Sequence, residues 1–333
     1  MMHRSDPPTE LRSNVRRMVI TFVVVLLVAD LAARVVGAAF PEPSIWYHDI
    51  AQAKARQLVE RKGESLDMVF AGTSQTYYGV DVAVIDRALG TTSYNAGVPA
   101  GVPPIQERWL PRQVLRRVDT DLVVWGVSLL DLNDGRDLSV VSAYDEAYAT
   151  RKGFLADLDR GISRWSGLFR HRRQLTDPEV WRQAFKGEDP MAASRAVLRD
   201  DGVRVPGDRR PTERQRQRME DRIVVDYEVG TKMLASLRST IERVQDRGTD
   251  VVLAWLPVPE RLLELLPEPG LQAAARRRMR DFAHEVGVTL IDLSDGFTND
   301  DFLDYTHLGP TGAARLSLRM AAALRSDVGT GST

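Results

Sequence analysis

Through most of this chain, short apolar-rich runs of four to six residues alternate with longer stretches patterned as amphipathic helices. The short runs fall at 67–71, 92–95, 122–125, 251–256 and 289–293, and the helical patterns at 82–89, 105–118, 271–286 and 311–325. That alternation is the signature of a parallel sheet covered by helices on both faces. The last helix opens with Gly309-Pro310. Proline is favoured at a first helical position because the N–H it lacks would be unpaired there anyway.

Two regions depart from the alternation. At the N-terminus, Arg12, Arg16 and Arg17 precede an apolar run at 18–29 that continues less cleanly to Phe40. Charges on that flank favour an N-inside orientation, so everything after Pro41 is expected outside the cytoplasm, on a chain held in the cell membrane. The clean run suits a cleaved signal peptide, whereas the full stretch has the roughly 20 residues that span a bilayer. Asp30 and Arg34 interrupt the longer version but stand four apart on one helical face, where they can pair near the outer interface. The long polar segment before the run favours an uncleaved anchor.

The second departure, at about 134–224, is Arg-rich and punctuated by Trp165, Phe169, Trp181 and Phe185. It reads as a helical insertion after the third strand, with a long helix at 212–247 leading into the fourth. The expected organisation is a cytoplasmic segment 1–17, an anchor 18–40, a connector 41–64, an α/β domain 65–327 with the insertion at 135–224, and a disordered tail 328–333. Arginine and tryptophan in the insertion can pair with anionic groups and stack on sugars, although an Arg-rich helical face is more often plain solvated surface.

Charge and composition remove several function classes. Lys plus Arg number 45 against 46 Asp plus Glu, for a formal net charge of −1, so no global field favours nucleic acid. The chain has no cysteine, which excludes disulfides, thiolate metal sites and a cysteine nucleophile. No histidine pair has metal-ligand spacing, and the turn after the first strand lacks a Gly-x-Gly-x-x-Gly pattern. No cofactor or metal is expected.

Candidate chemistry lies in two places. After the first apolar run comes Gly72-Thr73-Ser74-Gln75, a small-residue turn entering a helix. Ligands of such sheets bind outside the carboxyl ends of the strands, where a serine hydroxyl would be exposed beside backbone N–H groups. A plain helix cap is the competing role for Ser74. Beyond the fifth run comes Asp304-Tyr305-Thr306-His307. A spacing of three lets Asp304 hold the imidazole while the other ring nitrogen faces a nucleophile; an ordinary Asx turn is the alternative. The other histidines, His3, His48, His171 and His284, fall in less suitable surroundings. If the strands run parallel, both segments emerge on the same edge.

On these residues the chain resembles the SGNH (GDSL-like) hydrolases. Gly72-Thr73-Ser74 is similar to that family's first block, Tyr94-Asn95-Ala96-Gly97-Val98 to its second, 123–128 to its third and Asp304 through His307 to its last. The resemblance covers roughly 65–135 and 250–323 and implies a flavodoxin-like three-layer α/β/α fold with a five-stranded parallel sheet. It implies a Ser74, His307, Asp304 triad and an oxyanion hole from the Ser74 and Gly97 N–H groups. Ser128 stands where the family has asparagine, leaving that donor to Ser128 itself, Asn95 or Asn133. Thr73 replaces the usual aspartate. Asp131 and Asp134 near this edge read as solvated loop carboxylates.

The expected function is an extracytoplasmic serine esterase or O-acyltransferase acting on ester-linked acyl groups of a cell-envelope polysaccharide, or on a small ester. The anchor-plus-domain layout resembles accessory proteins of polysaccharide O-acetylation and teichoic-acid D-alanylation, which implies a multispanning membrane acyltransferase as partner. Two other readings stay open: a catalytically impaired scaffold of such a complex, and a soluble secreted esterase. The mature N-terminus separates the last from the rest. An uncleaved anchor predicts a chain that keeps the 18–40 segment by N-terminal sequencing and resists carbonate extraction of membranes; cleavage before Glu42 would sink it.

Overall fold

The computed structural model describes residues 9–39, 49–136, 138, 141, 154–176, 178–186, 196–204 and 210–328. Most of the tail expected at 328–333 and part of the connector, 41–48, lie outside the described residues. The chain divides into two compact units, one of Met1–Ile45 with Ala149–Pro190, the other of Trp46–Tyr148 with Met191–Thr333.

The larger unit is built on five strands: β1 (Ser65–Gly72), β2 (Ser93–Asn95), β3 (Asp119–Val127), β4 (Asp250–Trp255) and β5 (Thr289–Asp292). Every pairing is parallel and the order is β2-β1-β3-β4-β5. Alternate residues of one strand feed opposite cores. Val69 and Ala71 join Val123, Trp125 and Trp255 on one face; Met68 and Phe70 join Val124 and Ile291 on the other. Both faces are dry, which is why the runs read as apolar throughout rather than alternating.

The first face is covered by α5 (Pro103–Trp109), α11 (Thr231–Gln245) and α13 (Leu271–Glu285), through Trp109, Leu237, Ile241 and Phe282. The second is covered by α4 (Val82–Leu89) and α14 (Pro310–Val328), through Ile85, Leu316, Met320 and Leu324. This is the flavodoxin-like three-layer α/β/α arrangement that the sequence pattern predicts. Strand order reverses between β1 and β3, and a crevice opens there beyond the strand ends, where doubly wound sheets bind ligands.

Two helices differ from the sequence pattern. The stretch expected as one helix at 105–118 stops at Trp109 and continues as a π turn, Leu110–Val114, with Leu115 N–H donating to Leu110 carbonyl at 2.9 Å. Pro111 has no N–H to sustain the regular ladder. The stretch at 212–247 splits into α10 (Glu213–Arg222) and α11. Between them Asp226 has φ 46°, and Asn133 competes for the backbone. Its Nδ2 donates to the Ile223 and Val225 carbonyls and its Oδ1 accepts the Glu228 N–H, so the peptide groups a continuous helix would pair internally are taken by a side chain.

In the smaller unit, α1 (Thr9–Ala39) contains Asn14–Val36, 23 residues long and apolar enough to cross a bilayer. The expected Asp30–Arg34 pair forms at 2.9 Å. Asp30 also accepts from Ser166 Oγ at 2.7 Å and Leu168 N–H at 3.1 Å. Those bonds join α1 to α6 (Phe154–Trp165) and α7 (Gly167–Arg170), which lead into α8 (Arg172–Thr176) and α9 (Pro178–Lys186). The interval read as one insertion is therefore shared: its middle packs with the N-terminal helix, and 196–204 and 210–224 belong with the sheet.

Candidate active site

β1 ends at Gly72, whose φ of 141° only glycine adopts freely, and a Cβ there would meet the Gly126 carbonyl of β3 at 2.6 Å. The chain then turns at once into α3 (Ser74–Gly79). Thr73, not Ser74, caps that helix, its hydroxyl accepting the Gln75 N–H at 3.2 Å. The capping role that competed for Ser74 is filled by its neighbour. Ser74 Oγ lies 2.9 Å from His307 Nε2.

The histidine is held from below. His307 Nδ1 is 2.8 Å from Asp304 Oδ2 and 2.9 Å from Oδ1, while Oδ1 also accepts the N–H groups of Thr306 and His307, each at 2.9 Å. The turn is braced by Leu303 N–H to His307 carbonyl at 2.8 Å and Gly309 N–H to Asp301 carbonyl at 2.8 Å. Burial alone would raise the Asp304 carboxyl. Its bond to the His307 ring, that ring's charge and the two backbone N–H groups outweigh burial and hold it well below the usual carboxylate range. Tyr78 covers the imidazole, ring centroids 4.4 Å apart. A hydroxyl on one imidazole nitrogen and a carboxylate on the other is the arrangement that strips a proton from serine.

The other residues expected around the oxyanion do not meet there. Gly97 is buried and its N–H is spent on Asn95 Oδ1 at 3.0 Å. Its missing side chain serves packing, since a Cβ would stand 2.8 Å from the Tyr77 nitrogen. Asn95 Nδ2 donates to the Thr76 and Val80 carbonyls, and Asn133 is occupied below α10. Ser128 is fully buried, capping the 3-10 turn Leu129–Leu132. None of the four lines the cavity over Ser74, which holds about 330 Å³.

The sequence reading missed Gln75, Ala100 and Lys54. Ser128 Oγ donates to Gln75 Oε1 at 2.5 Å, orienting that amide, whose Nε2 has only a 3.5 Å contact to the Thr306 carbonyl. The reverse orientation would set two oxygens against each other at Thr306. Gln75 lines the cavity, as does Ala100, a non-glycine residue at φ 53°. Such left-handed residues are uncommon and cluster at functional sites. Beneath this loop, fully buried Lys54 donates from Nζ to the Asn95 and Gly97 carbonyls at 2.5 and 2.6 Å and sits 4.5 Å from the Tyr77 ring centre. Burial pushes its pKa well down, against the pull of Asp201. A lysine in an amphipathic stretch gives no hint that it will be buried under a loop some 40 residues away.

No family model matches the sequence, and no curated protein does. Solved structures similar to it include a lipase/acylhydrolase from Enterococcus faecalis, at 12% identity and TM-score 0.41, over 79% of this chain and 96% of that one. A catalytic mutant of an acetylxylan esterase from Geobacillus stearothermophilus is similar at 12% identity and TM-score 0.40, over 80% of this chain and 95% of its own. The inhibitor-bound aryl esterase of M. smegmatis is similar at 14% identity and TM-score 0.37, over 79% and 99%.

Asp131, expected as a solvated carboxylate, is instead buried at 2% exposure, accepting the Ser128 N–H at 2.8 Å on Oδ2 and leaving Oδ1 without a partner. Burial pushes its carboxyl up to about 6 from an ordinary 3.8. The folded value exceeds the unfolded one, so this group's stability contribution is intact below about pH 4 and is lost as pH rises through about 6. Asp131→Asn keeps the acceptor without the charge. It is expected to be more stable than the wild type by about 3 kcal/mol at pH 8, with no advantage at pH 4, in thermal denaturation. An equal effect at both pH values would exclude the buried charge as the cause.

Proposed function

We propose that this chain is an extracytoplasmic serine esterase or O-acyltransferase that moves an acyl group from a cell-envelope polysaccharide ester, or onto one, through an acyl-serine. The observation that carries the reading is the 2.9 Å contact between Ser74 Oγ and a His307 ring anchored by Asp304. In the first step His307 Nε2 takes the Ser74 proton as Oγ bonds to the ester carbonyl carbon, and the carbonyl oxygen becomes the oxyanion. Collapse breaks the bond to the alkoxy group, which leaves with the proton from His307. The acyl-serine is then attacked by water or a sugar hydroxyl, whose proton His307 takes; the bond from the acyl carbon to Ser74 Oγ breaks and His307 returns that proton to Oγ.

Three donors suit the oxyanion: the Ser74 N–H, the Ala100 N–H on the cavity wall, and Gln75 Nε2. The amide offers what a third-block asparagine would, from the other side of the same hydrogen bond to Ser128. That arrangement favours turnover over the scaffold reading that the altered block left open. The apolar span at Asn14–Val36, with Arg12 before it and Arg16 and Arg17 in its first turn, supports a membrane-held domain facing the envelope. For the transfer reaction a multispanning acyltransferase would supply the acyl group.

Two measurements on the detergent-solubilised chain test this. Ser74→Ala should abolish both p-nitrophenyl acetate hydrolysis and labelling by a fluorophosphonate; a wild-type protein that never labels at Ser74 would overturn the reading. Gln75→Ala should lower kcat by about two orders of magnitude, with KM little changed, the usual loss on removing one oxyanion donor. A change confined to KM would remove Gln75 from that role.

A further inference from the structure

The cavity over Ser74 has a wall that the acyl-transfer reading does not use. Four arginines from three separate stretches line it: Arg136 after β3, Arg204 from the turn beside β2, and Arg218 and Arg222 of α10. Among the described residues two carboxylates line it with them, and both have partners of their own. Asp304 is wrapped around His307, and Asp131 is spent beneath Ser128. Four guanidinium groups thus share a lining that carries two carboxylates, one of which, Asp131, feels the charge of Arg136.

The helix α10 sorts its charges by face. Arg216 is bound by Glu213 and Glu220 at 2.6 and 2.5 Å, and Gln217 by Asp221 at 3.0 Å. Gln215, Arg218, Met219 and Arg222 share the face that lines the cavity, the spacing of one helical stripe. Arg222 has no ion pair among the described residues. Arg204 lies 4.7 Å above the Tyr78 ring, on the tyrosine that stacks with His307, and its buried Nε has no hydrogen-bond partner. An unsatisfied buried N–H is costly, and a guanidinium fork stacked on an aromatic ring is shaped for a planar or tetrahedral oxyanion.

We propose that this cavity selects esters whose alcohol portion carries an oxyanion, a carboxylate or a phosphate, which Arg204, Arg218 and Arg222 grip while the acyl carbonyl sits at Ser74. The inference rests on the reading of Ser74 as acyl acceptor and names the substrate class of that site. The volume of about 330 Å³ suits one or two sugar-sized units. A solvated arginine surface would not draw three stretches onto one nucleophile, nor leave a guanidinium nitrogen buried and unpaired.

The test is a comparison of KM on three acetyl esters with the full chain: an acetylated neutral xylo-oligosaccharide, an acetylated uronate oligosaccharide and an acetylated glycerol phosphate oligomer. At low salt an anionic ester should have a KM about tenfold or more below the neutral one, the worth of one or two charge-assisted hydrogen bonds, and the gap should narrow at high salt. Whichever anionic ester has the lower KM identifies the group as carboxylate or phosphate. In the Arg218→Gln/Arg222→Gln double variant the anionic-to-neutral KM ratio should approach one. Because the ratio is internal to each preparation, partial misfolding does not mimic this result. Equal KM values for all three esters in the wild type, or a ratio untouched by the double variant, would overturn the inference while leaving Ser74-dependent hydrolysis intact. No Ser74-dependent turnover of any ester would overturn the underlying reading and the inference with it.

Discussion

Parallel strands buried on both faces must all deliver their chain ends to the same edge, and here that geometry gathers the chemistry. β1 and β3 pair through to Gly72 and Gly126, so the turns after them open side by side at the reversal of strand order. No side chain could fit where Gly72 passes the Gly126 carbonyl. The Asp304–His307 turn follows β5, two strands from β3, and cannot reach Ser74 along the sheet edge alone. It is returned by α14, which packs against α3 and α4 and holds Leu308 near Gly79. The triad thus depends on a sheet edge for one half and on helix packing over a sheet face for the other.

Around that core, neighbours divide the work. Thr73 takes the cap and frees the Ser74 hydroxyl. Ser128 surrenders direct access to the cavity but orients the Gln75 amide that reaches it. Lys54 and Trp109 pin the carbonyls of the loop after β2, Lys54 those of Asn95 and Gly97 and Trp109 that of Ala96 at 2.9 Å, which leaves Ala100 at the rim in a strained backbone conformation. Residue-for-residue comparison with the family blocks assigns donors to Gly97 and Ser128. The structure spends those groups elsewhere, the Gly97 N–H on Asn95 Oδ1 and the Ser128 hydroxyl on Gln75 Oε1, because each buried polar group has one geometry and spends its donors on the nearest unmet acceptor.

The smaller unit follows the same logic in an apolar setting. A carboxylate six residues from the end of an apolar span needs partners, and Asp30 takes three, from Arg34, Ser166 and Leu168. Two of the three lie more than a hundred residues downstream. The need was visible in the sequence, as was the local pair with Arg34. The identity of the distant partners was not.

Apolar runs bounded by turn residues were enough to read the five strands, their parallel class and the helices at 82–89, 271–286 and 311–325, since burial on both faces forces a composition that little else shares. Spacing of three in a tight turn left Asp304 two local outcomes, the pair with His307 and an Asx turn to Thr306, and the structure has both. Only the tertiary structure decided where 105–118 and 212–247 break, since Pro111 and Asn133 act through a particular hydrogen-bond ladder and a particular neighbour. It alone turned the polar groups of Asn95, Gly97, Ser128 and Asn133 to other partners and drew Arg136, Arg204, Arg218 and Arg222 to one wall. A charged residue in an amphipathic pattern marks the helix face away from the apolar stripe; where that face then looks, and whether it is covered as at Lys54, depends on contacts between segments distant in the chain, and these leave no period in the sequence.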